Sequence, residues 1–220
     1  SLGPDAEQID RARFWERAMA APLSRRGRFR YSNVGYSVAA IALEAATGTP
    51  HEAHLRRMMD EAGIETLRYD IPAEDRGALA IGYEGNRRWG TILDLPRVED
   101  GPGWNLRGNG GLLATTSDVL RWRGWVAGLD SDVRERAFGM HIEQGGGLDY
   151  GYGWDVGVTS RDTQVVNHDG GNGVFYARAT WWPDEDAFLF TASNRAEQPA
   201  IDFHGRLVAE VIAHLNRGAR

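Results

Sequence analysis

The last third of the sequence constrains the fold most, because β-prone runs alternate there with turn residues. Runs rich in β-branched and aromatic residues occupy residues 150–158, 164–167, 174–182 and 187–193. Turn-forming residues separate these runs, among them Pro183 before the last run. This spacing predicts an antiparallel meander and disfavours a parallel, doubly wound sheet.

A helix is predicted to follow this sheet and to cover one of its faces. Residues 199–216 repeat apolar side chains at helical spacing, at Phe203, Leu207, Val208, Val211, Ile212 and Leu215. Such a stripe is typical of an amphipathic helix that packs on a core.

The front half of the chain predicts helices. Helical patterns occupy residues 5–20, 34–47, 50–62, 115–127 and 132–140. Ser32 or Asn33 is the candidate N-cap of the second helix, and Gly48 is its candidate C-cap. Residues 66–107, rich in proline, glycine and polar residues, predict an irregular excursion with one hairpin.

The third helix carries its own start signal. Thr49 and Glu52 fit a capping box, with Pro50 at the first helical position. Helices followed by antiparallel strands and a covering helix predict an α+β fold. We expect a mainly helical region over residues 1–144 and a strand region with the C-terminal helix over residues 145–220, together forming one domain.

Charge and composition exclude several kinds of partner. The 220 residues carry a net charge of −6, with 31 acidic and 25 basic residues and no basic run, so nucleic-acid binding is not expected. No apolar stretch approaches the roughly 20 residues that span a bilayer. Without cysteine the chain has no disulfide and no thiol nucleophile, and its compartment stays open.

Four motifs follow one another along the chain. Tyr31-Ser32-Asn33 precedes the second helix, and residues 109–118 read Asn-Gly-Gly-Leu-Leu-Ala-Thr-Thr-Ser-Asp. Residues 150–154 read Tyr-Gly-Tyr-Gly-Trp, and residues 168–173 read His-Asp-Gly-Gly-Asn-Gly. In this order they resemble the motifs of the serine β-lactamases and the related penicillin-binding proteins and esterases, which implies a β-lactamase/transpeptidase-like fold.

The resemblance also implies roles for the matching residues. In that family a serine attacks a carbonyl carbon and forms an acyl-enzyme, assisted by a base and by oxyanion donors. Tyr31 would be the general base, Asn33 a partner of the substrate amide and His168 a cationic or donor group beside Tyr31. Gly171 would supply an oxyanion N–H.

Substrate contacts are implied for two more residues, Gly170 and Asn172. The substrate would be a small ester or amide, such as a β-lactam or a D-amino-acid peptide. The resemblance implies neither a cofactor nor a metal.

One family motif has no counterpart here. The family has a Ser-x-x-Lys motif several tens of residues before Tyr-x-Asn, whereas all 25 basic residues of this chain are arginine. Ser32 and Ser37 lie nearest to Tyr31, but neither has a lysine partner. We therefore expect the C-terminal portion of a truncated catalytic domain, inactive or very weak alone, and whether the chain is itself an enzyme stays open.

The sequence start supports the same expectation. Ser1 and the residues after it have no signal-peptide character, which suggests a mature, trimmed or truncated N-terminus. In the family the preceding segment contributes strands that pair with the last strand of the sheet. Self-association, or complementation by that segment, is therefore expected along residues 187–193.

Simpler interpretations stand beside these. Tyr31 to Asn33 could merely cap a helix, His168 could be a turn histidine, and the chain could be a non-catalytic binding or assembly module that kept the fold. His51 and His54 are three residues apart, whereas the metalloprotease helix motif needs four and a third ligand, so no metal is expected. Most of the eight tryptophans fit a core better than a sugar-binding groove.

Overall fold

The structure is a computed structural model, and it describes residues 9–23, 26–94, 102–196 and 198–218. The chain forms two compact units. The first comprises Ser1–Leu79 and Thr91–Leu129, and the second comprises Ala80–Gly90 and Asp130–Arg220. The strand-rich unit thus includes residues 80–90 and 130–144 besides the region 145–220, and the predicted α+β class is confirmed.

The first unit is built from helices. They are α1 Arg11–Ala20, α2 Asn33–Thr47, α3 His51–Glu61 and α4 Thr116–Ala127. Phe14 of α1 packs with Ile9, Trp104 and the buried face of α2 in one apolar cluster. Each large side chain that is fully buried there contributes roughly 1.5–3 kcal/mol. The backbone N–H of Trp104 donates to the Ile9 carbonyl at 2.8 Å, which joins the distant segments.

Helix caps test the predicted boundaries. The Ser32 hydroxyl accepts the Gly35 N–H at 3.0 Å, and Gly48 ends α2 with a φ of +67°. Both predictions for α2 are confirmed. At α3 the predicted capping box is wrong, because within the described residues no side chain caps the helix and Pro50 precedes its first residue. Glu52 instead forms an ion pair with Arg107.

The second unit holds a six-stranded antiparallel sheet, whose strands are β3 Ile142–Gly145, β4 Leu148–Tyr150, β5 Asp155–Val158, β6 Gln164–Gly171, β7 Tyr176–Trp182 and β8 Ala187–Ser193. Each strand pairs with the next along the chain, so the predicted meander is confirmed. The run 150–158 is two strands rather than one. The strand is interrupted at Gly151, where a Cβ would lie 2.7 Å from the Ala137 carbonyl oxygen, and at Gly153, which has a φ of +84°.

Helices flank this sheet. Helix α5 spans Ser131–Ala137 and helix α6 spans Gln198–Gly218. Buried His204 of α6 contacts the Thr180 hydroxyl at 3.2 Å and the Thr191 hydroxyl at 2.5 Å, so α6 covers this face as predicted. On the opposite face Trp181 packs edge-to-face on Phe138, with ring centroids 5.2 Å apart.

The predicted hairpin in residues 66–107 is a small sheet of β1 Gly82–Glu84 and β2 Arg87–Gly90. It packs near the turn between β6 and β7, where Trp89 meets Phe175 edge-to-face at 5.9 Å. The Tyr83 N–H donates to the Asn194 carbonyl at 2.9 Å, just beyond β8. None of the helices in the described ranges combines the length and hydropathy needed to span a bilayer.

Candidate active site

The first predicted motif lies at the N-terminus of α2. Tyr31 precedes the cap residue Ser32 and is 49% exposed, and Asn33, the first residue of α2, is also exposed. The N-terminal backbone N–H groups of a helix carry a partial positive charge. Two exposed polar side chains beside this helix end can therefore meet a polar substrate from solvent.

Buried hydrogen bonds hold α2 against the loop of the second motif. The Ser37 hydroxyl, fully buried, donates to the Arg107 carbonyl at 2.7 Å and accepts the Asn109 side-chain N–H at 2.8 Å. Asn109 also donates to the Asn105 carbonyl at 2.8 Å. Ser37 is thus occupied structurally, and Ser32, the other serine near Tyr31, serves as the helix cap.

Close backbone packing strengthens this connection. Gly108 has a φ of +78°, and a Cβ there would lie 2.8 Å from the Ala40 Cβ and 2.9 Å from the Tyr36 carbonyl oxygen. Only glycine fits such a position without displacing α2. Gly108 immediately precedes the second motif, and the sequence says nothing of the helix that this glycine touches.

Arg107 holds the same loop in place through contacts of its own side chain. Arg107 as a residue is 1% exposed, and its side chain pairs with Glu52 and donates from Nε to the Pro102 carbonyl at 2.8 Å. The guanidinium also lies over the Trp104 ring, 5.5 Å from its centroid. The sequence offers no signal for this role, because Glu52 is 55 residues away.

The fourth motif, residues 168–173, lies in the second unit. His168 is half-buried on β6, opposite Ala179 of β7. Its Nε2 lies 3.3 Å from the Tyr150 hydroxyl oxygen. His168 is therefore a strand residue with a fixed side-chain neighbour, and the turn-histidine interpretation is wrong.

Gly171 ends β6 opposite Tyr176. The Asn172 N–H donates to the Phe175 carbonyl at 3.2 Å. Hydrogen-bonded and non-hydrogen-bonded pairs alternate in an antiparallel ladder, so the next pair, Gly171 and Tyr176, is of the non-hydrogen-bonded kind. The Gly171 N–H therefore points away from β7 toward the side of β5, whose pairing with β6 ends at Asn167.

Gly170 and Asn172 differ in what surrounds them. A Cβ at Gly170 would meet no atom within 4 Å, which leaves space beside the strand. The Asn172 side-chain oxygen accepts the N–H groups of Val174 at 3.1 Å and Phe175 at 2.8 Å. Asn172 thus shapes the turn, and its predicted contact with substrate stays a prediction.

Asp169 faces the opposite side of the sheet from His168. Its carboxylate accepts the Tyr176 hydroxyl at 2.9 Å. Burial, together with this carboxylate, raises the pKa of Tyr176. The acidic residue of the motif therefore supports the α6 face and not the face that carries His168.

Metal binding finds no support in the described part of the chain, where no group of three or more His, Cys, Asp or Glu side chains could hold an ion. His54 Nε2 contacts the Thr47 hydroxyl at 2.9 Å. The backbone N–H of His51 donates to Glu44 at 3.0 Å, and burial lowers the pKa of its imidazole. Both histidines thus connect α3 to α2.

The structure brings Tyr31 and Asn33 together at one helix end, and it brings His168, Gly170, Gly171 and Asn172 together at one end of β6. The first group belongs to the first unit and the second group to the second unit. Sequence reasoning missed Ser37 and Arg107 as supports and Tyr150 as the neighbour of His168.

Comparison with known proteins agrees with the motifs. The profile of the family described as Beta-lactamase matches residues 2–213. Penicillin-binding protein 4* of Bacillus subtilis (strain 168) is 24% identical over 183 residues, which cover 76% of this chain and 40% of that protein. The chain thus spans well under half of this curated relative.

Solved structures show the same fold. A class C beta lactamase from Rhodobacter sphaeroides matches with a TM-score of 0.75 at 17% identity. The match covers 97% of this chain and 68% of the Rhodobacter sphaeroides chain. A beta-lactamase/D-alanine carboxypeptidase from Yersinia pestis, complexed with citrate, matches with a TM-score of 0.72 at 21% identity, and the match covers 96% of this chain and 63% of the Yersinia pestis chain. The octameric penicillin-binding protein homologue from Pyrococcus abyssi has a TM-score of 0.70 at 18% identity, with coverage of 88% and 45%.

Proposed function

The chain belongs to the beta-lactamase family, and from this membership we propose that it is part of a serine hydrolase that forms an acyl-enzyme. Its substrate is a small ester, a β-lactam or a D-amino-acid peptide amide. Tyr31, Asn33, His168 and Gly171 act in the reaction, and Gly170 and Asn172 contact the substrate.

The direction of the Gly171 N–H is the observation that carries this proposal. An oxyanion donor must be a preorganised N–H that the fold itself has not used. The ladder turns the Gly171 N–H away from β7, at a level of β6 beyond the last residue that pairs with β5. Space beside Gly170 supports access by a substrate to this strand end.

Tyr31 is proposed as the general base, and this role has a condition. A phenol has an ordinary pKa near 10, so it accepts a proton at neutral pH only where cations stabilise its anion. The family uses a lysine beside the nucleophile, and the 220 residues contain none. We therefore propose that the nucleophile and its lysine come from residues outside these 220 and that this chain alone is inactive or very weak.

Hydrolysis assays test the proposal. The pure chain is incubated with an activated ester and with a chromogenic β-lactam, and no turnover above background is expected. Turnover that Tyr31→Phe abolishes would contradict the proposed inactivity. Tyr152→Phe is the matched control, since Tyr152 is also exposed, at 65%.

The encoded protein that contains this chain supplies the second half of the test. Labelling with a fluorophosphonate or a penicillin, followed by mass spectrometry, is expected to place an adduct on a serine outside the 220 residues. Absence of any serine adduct would instead favour the non-catalytic binding or assembly module.

We also propose that β8 is the surface for self-association or complementation. It is the last strand of the sheet, and within the described residues its outer edge has no strand partner. Its apolar residues Phe188, Leu189 and Phe190 are only half-buried. An unpaired apolar edge is a template for another strand.

Sedimentation measures this association. The chain is expected to dimerise, and Ala192→Lys, a charge at an exposed position of β8, is expected to return it to a monomer. Ala39→Lys adds the same charge at an exposed position of α2 and should leave the dimer intact. A wild-type monomer at high concentration would contradict the proposal.

A further inference from the structure

Tyr150 has a place beside His168 that none of the roles above uses. Its hydroxyl oxygen lies 3.3 Å from His168 Nε2, and the two rings meet at 66° with centroids 6.4 Å apart. Tyr150 is 7% exposed and ends β4. Its backbone pairs with Asp155, and its carbonyl accepts the His141 N–H at 3.2 Å. The phenol is therefore held in place before any substrate arrives.

Hydrogen-bond chemistry gives this contact a preferred direction. A neutral imidazole carries one N–H and one acceptor nitrogen, and its neighbours determine which nitrogen holds the proton. A phenol O–H is the more acidic donor, and an imidazole nitrogen is the more basic acceptor. The stronger arrangement is therefore Tyr150 O–H donating to His168 Nε2, which leaves the imidazole proton on Nδ1.

We propose that Tyr150 is a positioning residue that holds neutral His168 as the Nδ1–H tautomer. His168 then offers an N–H at Nδ1 in both its neutral and its cationic form, so it acts on the substrate as a donor and not as a base. The matching substrate group is an oxygen that carries or gains negative charge, such as a carboxylate or a reacting carbonyl. This inference rests on the proposed part of His168 in acyl transfer.

Nitrogen-15 NMR of the histidine rings tests the tautomer directly. The 220-residue chain is labelled, and long-range spectra are recorded well above the ordinary histidine pKa of about 6.5, where imidazoles are neutral. His168→Gln assigns the His168 signals by their loss. We expect Nε2 of His168 in the range of an unprotonated nitrogen and Nδ1 in the range of a protonated one.

Two substitutions complete the test. In Tyr150→Phe the two nitrogen signals should move toward each other, since the lost hydroxyl allows both tautomers. Tyr176→Phe removes a hydroxyl from an equally buried tyrosine of the same sheet and should leave His168 unchanged. A merely structural role of Tyr150 would disturb the other five histidines as well, and their unchanged signals separate the two cases.

A protonated Nε2 in the wild-type chain, or an unchanged spectrum in Tyr150→Phe, would overturn the inference. If Tyr150→Phe does not fold, the wild-type spectrum still shows which nitrogen of His168 carries the proton. The measurement needs no substrate, so its failure and the failure of the hydrolase proposal are distinguishable. In the full hydrolase, Tyr150→Phe should lower kcat more than it changes KM.

Discussion

The two motif-bearing regions hold their residues in place by different means. In the first unit Tyr31 and Asn33 lie at a helix end whose position depends on a few buried contacts from distant parts of the chain, at Ser37, Arg107 and Gly108. In the second unit His168 and Gly171 are positioned by a continuous ladder between β6 and β7.

This difference predicts different sensitivities. A ladder distributes its constraint over many backbone hydrogen bonds, so a single side chain contributes little to the strand's position. A helix held by a loop depends on each contact in turn, and a buried polar group that loses its partner is strongly destabilising. Substitutions at the supports of α2 should therefore lower the free energy of unfolding more than substitutions near β6 do.

Gly108→Ala should have the largest effect on the first unit. The new Cβ meets Ala40 and the Tyr36 carbonyl oxygen inside normal contact distance, at a φ of +78°. Backbone strain and overpacking together should lower the free energy of unfolding by about 4 kcal/mol. Denaturant titration measures this loss of unfolding free energy. Gly110→Ala, where a Cβ meets nothing within 4 Å, is the control, and an equal loss there would refute the reasoning.

Arg107→Met should follow, with a loss of about 3 kcal/mol. It leaves Glu52 without its guanidinium partner and removes the donor to the Pro102 carbonyl. The loss stays below that of a fully buried pair because the Glu52 side chain is 29% exposed. Thermal unfolding compares it with Arg57→Met, an exposed arginine of α3. Equal stability of the two variants would show that Arg107 does not anchor the loop.

Acidification should destabilise the second unit through His204. Burial, assisted by Arg178, lowers the pKa of His204 below its ordinary value of 6.5. The unfolded chain therefore binds the proton first, and stability is lost as the pH falls from about 6.5 through the folded value, by at most about 1.4 kcal/mol per pH unit.

Hydrogen exchange of α6 and β7 over this pH range measures the effect. His204→Gln should remove the pH dependence, whereas His214→Gln, at an exposed position of the same helix, should keep it. Burial lowers the pKa of His51 in the first unit too, where Glu52 and Glu44 oppose the shift as Asp169 opposes it at His204. A pH dependence of α6 and β7 that persists in His204→Gln would contradict the prediction.

Asn172→Ala should have the smallest effect, about 1 kcal/mol. It removes the side-chain acceptor of the Val174 and Phe175 N–H groups, while the ladder of β6 and β7 stays intact. Equilibrium unfolding in urea gives the value, with Asn86→Ala in the exposed β1–β2 turn as the control. A loss as large as that of Arg107→Met would reverse the comparison between the regions.

Local patterns predicted most of the fold. The caps of α2, the meander and the covering helix α6 all follow from turn residues, helix caps and apolar spacing within short windows. The prediction of a single strand over residues 150–158 was wrong because its interruption depends on the close approach of Gly151 to the Ala137 carbonyl oxygen, which lies outside any short window. The prediction of a capping box at α3 was wrong because the Glu52 side chain pairs with Arg107, 55 residues away in the sequence.

The sequence by itself determined the class of fold, the motif residues and the absence of lysine from these residues, because residue identities and short-range spacing carry that information. Only the tertiary structure decided that Ser37 is a buried support, that the Gly171 N–H points away from β7 and that Tyr150 lies beside His168. These depend on strand register and long-range packing, since both are set by contacts between residues far apart in the chain.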